Sequence, residues 1–405
     1  MASTSFWQAT AGDWRPPAER PSPNRVFDCL IVGSGMVGAS VAYALAQEKP
    51  AWKLAVADRR QVGGGATGRN AGFLLAGTAE HYAVSVAERG RATAREVFAV
   101  TVASHRRIRD FLARHPAASC DYWPCGSLTL AGTPDEAETL AQSAALLRED
   151  GFDVTFIPHD PLGRGFRAAI RNAHDAGVHP VKLIRALLAA SGAAVFEHWP
   201  ITGVEAAGNA LLARSARGEL RAERILLALN GEAGGFDGFF ADKVFPVRGQ
   251  ILVTAPYARR LLSEVVYANQ GYEYFRQLPD RRFLFGGGRR AFAKTEIGAD
   301  ETPTAAVQGF LEAFRDRHFP ELADLPIERR WAGTMGFTRD GLPLMGRLPG
   351  RAPAWFSIAC HGHGLGFGLE AGRLAARMVI TGNPPPLFDA RRLDATATVS
   401  GELPG

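Results

Sequence analysis

The sequence predicts an α/β fold (α+β overall), with a nucleotide-binding domain and a second domain that contains a mixed sheet. The chain has 405 residues, which is more than a single hydrophobic core usually holds. Residues 28–58 have the pattern of strand, glycine turn, helix and strand. A second strand, glycine-rich loop and helix is predicted at residues 354–381. Because these two units lie far apart in the chain, we expect a discontinuous first domain into which the second is inserted.

The first unit has the features of a dinucleotide-binding βαβ turn. An apolar strand at 28–32 leads into Gly33, Gly35 and Gly38, and a helix is predicted at 39–47. Such a turn lets the backbone and the helix N-terminus approach a pyrophosphate. After a strand at 53–57, Asp58 is placed to accept a hydrogen bond from a ribose hydroxyl. An ordinary tight turn is the alternative, and the register of strand, turn, helix and acid argues against it.

A second glycine-rich turn follows at 63–73. It contains three adjacent glycines and then Arg69 and Asn70. Glycines permit close approach of the backbone to a cofactor. Arg69 can meet a phosphate and Asn70 can fix a carbonyl, whereas a flexible surface loop is the alternative. Since the turn begins beside the crevice at the strand ends, we expect it to contact the same ligand.

The rest of the chain alternates predicted helices and strands. The helices are predicted at 83–115, 134–150, 181–191, 304–318 and 369–381, and the strands at 127–131, 154–157, 194–196, 201–205, 224–229, 250–254, 272–276, 282–285, 327–332 and 354–359. Glycine alternates with other residues at 362–368, just before the last predicted helix. Amides at a helix N-terminus stabilise negative charge, so this loop is a second candidate for ligand contact. A turn packed closely on the sheet is the alternative.

Charge and composition narrow the classes of function. The net charge is +5, but the basic residues are mostly arginines spread along the chain rather than a cluster. A nucleic-acid interface would be clustered, so none is expected. No apolar run reaches the roughly 18 residues of a membrane span, and residues 1–23 lack the pattern of a signal peptide. The aromatic residues of this N-terminal arm indicate that it packs across the body of the protein.

The cysteines and histidines predict no metal site. The four cysteines form no C-x-x-C pair, which favours a reduced, cytoplasmic protein. His361 and His363 are two positions apart, which is poor geometry for one metal ion on a helix, and no third ligand stands nearby. We therefore expect His363 to line a pocket at the cofactor instead.

These motifs together resemble the FAD-dependent D-amino-acid oxidase (DAO) superfamily, and in particular the γ-glutamylputrescine oxidase and glycine oxidase-like flavoenzymes. The segments that carry the resemblance are residues 31–38, 58–59, 64–72, 179–180, 225–230, 246–250, 331–333, 340–346 and 361–364. The similarity extends over nearly the whole chain. It implies a Rossmann-like FAD-binding domain with an inserted mixed-sheet substrate domain.

The resemblance implies oxidation of a C–N bond in an amine or amino acid by hydride transfer to flavin N5. Water then hydrolyses the imine, and oxygen or another acceptor takes the electrons. Some members attach FAD through a cysteine, but residues 328–346 contain none, so we expect non-covalent FAD. The alternatives are a dehydrogenase that passes electrons to a quinone or carrier, and a flavin component of a tRNA-modification enzyme.

The expected site residues follow from the motifs and the resemblance. The cofactor-binding residues are Gly33, Gly35, Gly38, Asp58, Arg59, Thr67, Gly68, Arg69, Asn70, Ala71, Gly72, Ile201, Asn230, Gly231, Gly364, Leu365, Gly366 and Gly368. Tyr274, Arg290 and His363 are the expected catalytic residues, and Arg276 and Arg289 are expected to bind substrate. A surface charge is the alternative for each arginine, a core aromatic for Tyr274 and a structural histidine for His363.

The predicted domain boundaries are as follows: an N-terminal arm at 1–24, an FAD-binding domain at 25–88, 165–235 and 328–390, a substrate domain at 89–164 and 236–327, and a C-terminal tail at 391–405.

Overall fold

The computed structural model of this chain describes residues 3–16, 25–351, 353–358 and 360–394. Parts of the predicted arm, the predicted tail and the end of the strand at 354–359 lie outside the described residues. The strands, in chain order, are β1 (Val26–Phe27), β2 (Cys29–Val32), β3 (Leu54–Ala57), β4 (Phe73–Leu74), β5 (Ser127–Ala131), β6 (Thr155–Ile157), β7 (Ala168–Asn172), β8 (Ala176–Gly177), β9 (Ala194–Phe196), β10 (Gly203–Ala207), β11 (Ala210–Ser215), β12 (Gly218–Ala222), β13 (Ile225–Leu227), β14 (Phe245–Pro256), β15 (Val265–Ala268), β16 (Glu273–Gln277), β17 (Arg282–Gly287), β18 (Ile327–Phe337), β19 (Leu344–Arg347) and β20 (Ala354–Ile358). The α-helices are α1 (Phe6–Thr10), α2 (Met36–Glu48), α3 (Tyr82–Arg89), α4 (Arg91–Arg114), α5 (Pro134–Glu149), α6 (Pro180–Ser191), α7 (Ala233–Phe236), α8 (Ala305–His318) and α9 (Gly364–Thr381).

A six-stranded sheet forms the centre of the nucleotide-binding half. Its order is β19-β20-β13-β2-β3-β9, and every pairing except that of β19 with β20 is parallel. All four residues of β2 and of β3 are buried, as continuous apolar runs in a parallel sheet require. One face packs against α2, α4, α6 and α9, and the other packs against the β10–β12 meander.

An eight-stranded mixed sheet forms the second half of the molecule. Its order is β18-β14-β17-β16-β15-β5-β7-β6, and only β15 and β5 pair in parallel within it. Helix α8 covers a phenylalanine-rich core that includes Phe275, Phe283 and Phe285. The ring contacts within this core add specific geometry to apolar burial.

Asn230 joins the two halves. This residue follows β13 and adopts a left-handed conformation with φ of 50°. Its side-chain amide donates to the Thr334 carbonyl at 3.3 Å and accepts from the Gly336 N–H at 3.2 Å. Because both partners lie on β18, the end of a parallel strand is fixed to an edge strand of the other sheet.

The described part of the N-terminal arm packs on the second glycine turn. Ser5 and Gln8 form a capping box at the start of α1. The Gln8 side chain then donates to the Gly63 carbonyl at 2.9 Å, and Trp7 is buried. The arm therefore braces a loop that lies 55 residues further along the chain.

Two predicted helices have different bounds in the structure. The helix predicted at 83–115 is two helices, because Gly90 adopts a φ of 78° and ends α3. The last helix begins at Gly364 rather than at 369, so most of the predicted glycine loop is helical. Glycine has low helix propensity, but here close packing decides the conformation. A Cβ on Gly366 would lie 2.5 Å from the Leu75 carbonyl oxygen, and one on Gly368 would lie 2.5 Å from Met36.

Two strands lie in a different sheet from the one that their predicted segments imply. Residues 165–235 and 328–390 were expected in the FAD-binding domain, but β7 and nearly all of β18 lie in these segments and pair with β5 and β14 in the eight-stranded sheet. The physical reason is that side-chain alternation predicts a strand without identifying its partner, which is set by long-range pairing.

Across the described ranges, no helix combines the length and apolarity needed to cross a membrane.

Candidate active site

A cavity of about 860 Å³ lies where the two sheets meet. The ends of β2, β13 and β20 reach the same edge of the parallel sheet, where open α/β sheets bind ligands. On the other side the cavity is lined by residues from β14, β16, β17 and β18 of the mixed sheet. It therefore has a nucleotide side and a mixed-sheet side.

The first glycine turn has a fixed shape. Gly33 has φ of 110°, and a Cβ there would lie 2.5 Å from the Ala228 carbonyl oxygen. A Cβ on Gly38 would lie 1.9 Å from the Gly33 carbonyl oxygen. Gly33 and Gly35 line the cavity, whereas Gly38 permits close packing of α2 on the turn. The N-terminus of α2 consequently faces the cavity with its positive dipole end.

Asp58 is held in place at the end of β3. Its Oδ2 accepts from the Ser34 N–H at 2.8 Å and from the Ser34 hydroxyl at 2.6 Å. Its Oδ1 accepts from the Arg60 N–H at 2.8 Å. A carboxylate offers about four acceptor positions, so Asp58 retains one for a hydroxyl of a bound nucleotide. The carboxylate lines the cavity, as does neighbouring Arg59, which pairs with Glu232.

The second glycine turn is tied to the first. The Thr67 hydroxyl accepts from the Met36 N–H at 2.8 Å. Arg69 lines the cavity but is buried, and its guanidinium donates to the Ala332 carbonyl at 2.9 Å. Glu301 lies 3.3 Å from Arg69 and 2.8 Å from Arg60. Arg69 thus stabilises the turn by binding β18 and an acid, an arrangement that the sequence pattern did not indicate.

The residues present fit an FAD. The Thr334 hydroxyl is buried, lines the cavity and has no hydrogen-bond partner among the described residues. Buried polar groups are normally satisfied, so this hydroxyl indicates a polar ligand. A Cβ built on Gly65 would have no neighbour within 4 Å. A Cβ built on Gly35 would have one, the Thr67 hydroxyl at 3.2 Å. These positions leave open space beside a helix N-terminus, as a pyrophosphate requires.

Most of the expected cofactor residues come together around this space. Those that line the cavity are Gly33, Gly35, Asp58, Arg59, Thr67, Arg69, Asn70, Ala71, Ile201, Asn230, Gly231, Gly364, Leu365 and Gly366. Gly38, Gly68, Gly72 and Gly368 lie behind it. A Cβ on Gly68 would lie 1.9 Å from the Gly63 carbonyl oxygen, and one on Gly72 would lie 2.4 Å from the Val178 carbonyl oxygen. These four glycines therefore permit close packing behind the cavity wall.

Aromatic rings and His363 form the apolar part of the mixed-sheet side. Tyr267 and Tyr274 line the cavity, and burial raises the pKa of both phenols. The ring of His363 meets that of Tyr267 edge to face at 5.7 Å. Burial lowers the pKa of His363 to about 4. This histidine is therefore neutral at pH 7.

Arg289 is a half-buried cation in this apolar wall. Its guanidinium lies 5.2 Å from the centre of the Tyr272 ring and 4.8 Å from that of Phe337. Within the described residues it makes no hydrogen bond and no ion pair. Burial lowers its pKa, but an arginine stays protonated at neutral pH. The cavity thus contains a cation that is available to an anionic group.

The other two expected arginines do not line the cavity. Arg276 is buried behind it, donates to the Gly72 carbonyl at 3.0 Å and lies 5.9 Å from the ring centres of Phe73 and Trp123. Burial lowers its pKa to about 10. Arg290 is exposed beside Tyr272. Arg276 lies on the same face of β16 as Tyr274, and both contact Phe73, but two positions further along the strand it meets the Gly72 carbonyl instead of the cavity.

Two polar residues of the cavity wall were not selected from the sequence. His361 was considered only as a metal ligand, and its left-handed φ of 46° is visible only in the structure. Glu80 has no motif, because it lies in an irregular segment before α3. Both line the cavity. The described residues contain no group of three or more metal-ligating side chains.

Comparison with known families agrees with this architecture. The sequence model of a family described as FAD dependent oxidoreductase (DAO) matches residues 28–378. The matched segment runs from the start of the parallel sheet to the last helix, so it includes both sides of the cavity.

Three known proteins illustrate the similarity. The gamma-glutamylputrescine oxidoreductase of Escherichia coli (strain K12) is 25% identical over 413 residues, covering 98% of this chain and 92% of the relative. The glycine oxidase of Bacillus licheniformis is 27% identical over 367 residues, covering 88% of this chain and 94% of the relative. The crystal structure of glycine oxidase from Geobacillus kaustophilus superposes with a TM-score of 0.74 at 21% identity, covering 93% of this chain and all (100%) of that chain.

Proposed function

This chain belongs to the DAO family of FAD-dependent oxidoreductases, and from this premise we propose that it oxidises a C–N bond in an amine or amino acid to the imine. Water hydrolyses the imine, and oxygen is the final electron acceptor. The relatives named for oxidation of glycine and of gamma-glutamylputrescine support this choice of substrate class.

The observation that carries the proposal is the continuity of the cavity. Its nucleotide side begins at Gly33, and its mixed-sheet side ends at Tyr274 and the unpaired Arg289. A small molecule bound in the mixed-sheet side would therefore lie against the cofactor without a protein wall between them. Positioning of this kind supplies much of the rate in reactions where the cofactor carries the chemistry.

Bound FAD would supply the hydride acceptor, the N5 atom of its ring. The residues of the chain would hold and orient the substrate. Arg289 can bind a carboxylate through parallel N–H donors, as guanidinium groups do. Tyr267 and Tyr274 exclude water from the reacting carbon, and their raised pKa values keep the phenols protonated. His363 is neutral and therefore does not repel an incoming cationic amine.

The cysteines support non-covalent FAD and a reducing compartment. All four are free thiols. Cys360 lines the cavity, but burial raises its pKa to about 12, and a thiol rather than a thiolate is a poor nucleophile. Free thiols at all four positions are also typical of a cytoplasmic protein.

The test is anaerobic bleaching of the flavin. The purified protein is mixed without oxygen with a panel of primary and secondary amines and of D- and L-amino acids, and the visible flavin absorbance is followed. We expect bleaching by one class of the panel. Hydrogen peroxide release in air then distinguishes an oxidase from a dehydrogenase that passes electrons to a quinone or carrier.

Two results would contradict the proposal. One is a purified protein that has no visible flavin absorbance and releases no FAD on heating. The other is a flavin that dithionite bleaches but no member of the panel does. Dithionite is the control because it reduces flavin without using the substrate side of the cavity.

A further inference from the structure

Two buried polar atoms in the wall of the cavity have no hydrogen-bond partner among the described residues. They are Oε2 of Glu80 and Nδ1 of His361. His361 is only 9% exposed, and both residues line the cavity. A Cβ built on Gly341 would lie 3.6 Å from Glu80 Oε1 and 3.8 Å from His361 Cδ2, so both side chains flank this glycine, and the two groups interact electrostatically.

The local structure fixes this pair. His361 has a left-handed φ of 46°, which is uncommon for a residue other than glycine, and its ring lies 4.0 Å from that of Phe337. Arg89 lies 3.8 Å from Glu80 Oε1 and donates to the Asp340 carbonyl at 3.0 Å. The second carboxylate oxygen is left without a donor from the described residues.

The charges define what would bind between these atoms. Burial raises the pKa of Glu80, but Arg89 and hydrogen bonds from the Glu80 backbone and the Thr78 side chain lower it overall, so the carboxylate is ionised. Burial lowers the pKa of His361 to about 4, so the imidazole is neutral and offers an acceptor nitrogen. The other charged or titratable groups near His361 are His363 and Arg289. A half-buried carboxylate with one buried oxygen, near a neutral acceptor nitrogen, favours a cation that carries several N–H donors.

We propose that Glu80 and His361 form a binding site for the ammonium group of the substrate, within the same cavity in which Arg289 takes a carboxylate. Arg289 and Glu80 both face this cavity; they interact electrostatically, but no ion pair within 4 Å joins them in the described part of the chain. A zwitterion would satisfy both charges at once. This inference rests on the proposed function, because it assigns the ligand of the substrate side of that site.

Three probe molecules of nearly equal shape test the contributions of the ammonium and the carboxylate group separately. They are 2-aminoisobutyrate, with both charges, pivalate, with only the carboxylate, and tert-butylammonium, with only the ammonium. None of them has both an amino group and a hydrogen on the adjoining carbon, so none can be oxidised to an imine. Dissociation constants for the FAD-loaded protein are measured by calorimetry and by the change in flavin absorbance.

The decisive variants are Glu80→Gln and Glu80→Ala. Loss of a charge-assisted hydrogen bond should weaken binding of 2-aminoisobutyrate and tert-butylammonium on the order of 10- to 100-fold. Binding of pivalate should stay within about twofold of the wild-type value. Glu138→Gln is the matched control, because Glu138 is exposed on α5 and does not line the cavity. This control should leave all three constants within about twofold.

The proposal is overturned if the Glu80 variants bind all three probes like the wild type, or if they weaken pivalate as much as the ammonium compounds. It is also overturned if the wild-type protein binds 2-aminoisobutyrate no better than pivalate. Variants that retain FAD at the wild-type ratio are folded, so the comparison is confined to these. None of these results depends on flavin bleaching, which tests the proposed function separately.

Discussion

Trp7 donates its indole N–H to the backbone carbonyl of Asn70 at 2.5 Å. The N-terminal helix is thereby fixed to the second glycine turn, at a residue expected to contact the cofactor. A segment that precedes the nucleotide-binding domain in the chain thus forms part of the support of its ligand site.

Replacing Trp7 by phenylalanine should loosen this support. The ring centre of Trp7 lies 5.1 Å from that of His179, so the Trp7→Phe variant keeps an aromatic ring on this side but loses the hydrogen bond to the turn. A hydrogen bond of this kind contributes about 1 kcal/mol, so the dissociation constant of FAD should rise roughly fivefold. Fluorescence of released FAD measures the change. Trp14→Phe is the control because Trp14 packs beside Arg185, away from the turn, and equal losses in both variants would refute the argument.

A side chain at Gly35 should be compatible with folding but not with binding of the cofactor. Its nearest neighbour for a Cβ is the Thr67 hydroxyl at 3.2 Å, so a Gly35→Val variant should fold. The added methyl groups would occupy the space in front of the α2 N-terminus, and the purified protein should lack flavin absorbance. Gly309→Val, in α8 with nothing within 4 Å of its Cβ, should keep normal FAD content. Full FAD content in Gly35→Val would show that this turn does not hold the pyrophosphate.

Arg289 and Arg290 provide a matched pair for the substrate site. Arg289 lines the cavity without an ion-pair partner among the described residues, whereas Arg290 is exposed outside it. Arg289→Gln should raise the dissociation constant of a carboxylate substrate on the order of 10- to 100-fold. Arg290→Gln should change it by less than about twofold. The measurement is the substrate dependence of anaerobic flavin bleaching, and an equal effect of both substitutions would remove Arg289 from the site.

His179 should make the protein sensitive to acid. Its Nδ1 accepts from the Lys182 N–H at 3.3 Å, and burial lowers its pKa from 6.5 to about 4. Between these two values the unfolded state binds more protons than the folded state, so stability falls as the pH falls from 6.5 towards 4. At pH 5 this histidine should cost about 2 kcal/mol relative to pH 7.

Denaturant unfolding at pH 7 and pH 5 checks the prediction for His179. Asparagine also caps helices, so His179→Asn should retain α6 and lose about 2 kcal/mol less on acidification than the wild type. His174→Asn is the control because His174 is exposed. An unchanged pH dependence in His179→Asn would show that His179 is not the group that titrates.

The local part of the fold was predictable from the sequence. The strand, turn, helix and strand from Cys29 to Ala57 occupy nearly the predicted positions, because apolar runs, glycines and a terminal acid all favour the same βαβ unit. The start of the last helix was not predictable in this way. Glycine at Gly364, Gly366 and Gly368 argues against a helix locally, and only the packing of α9 on Leu75 and Met36 explains it.

One side of the candidate site was likewise predictable from the sequence and the other was not. Spacing and glycine content identified the residues of the two turns on the nucleotide side, because their function depends on backbone conformation. The mixed-sheet side depends on which side chains of distant strands face one cavity. The sequence could not tell that Arg289 lines the cavity while Arg276 is buried behind it, nor that Glu80 lies near His361.

The sequence by itself therefore determined the α/β class, the first nucleotide-binding turn and the resemblance to FAD-dependent enzymes, because these are written in contiguous residues. Tertiary structure alone decided which sheet receives β7 and β18, where the cavity lies and which charges in it stay unpaired. The physical reason is that strand pairing and burial bring together residues that are tens to hundreds of positions apart in the chain, and no local pattern determines these contacts. The contact between Trp7 and Asn70, 63 residues apart, is one such case.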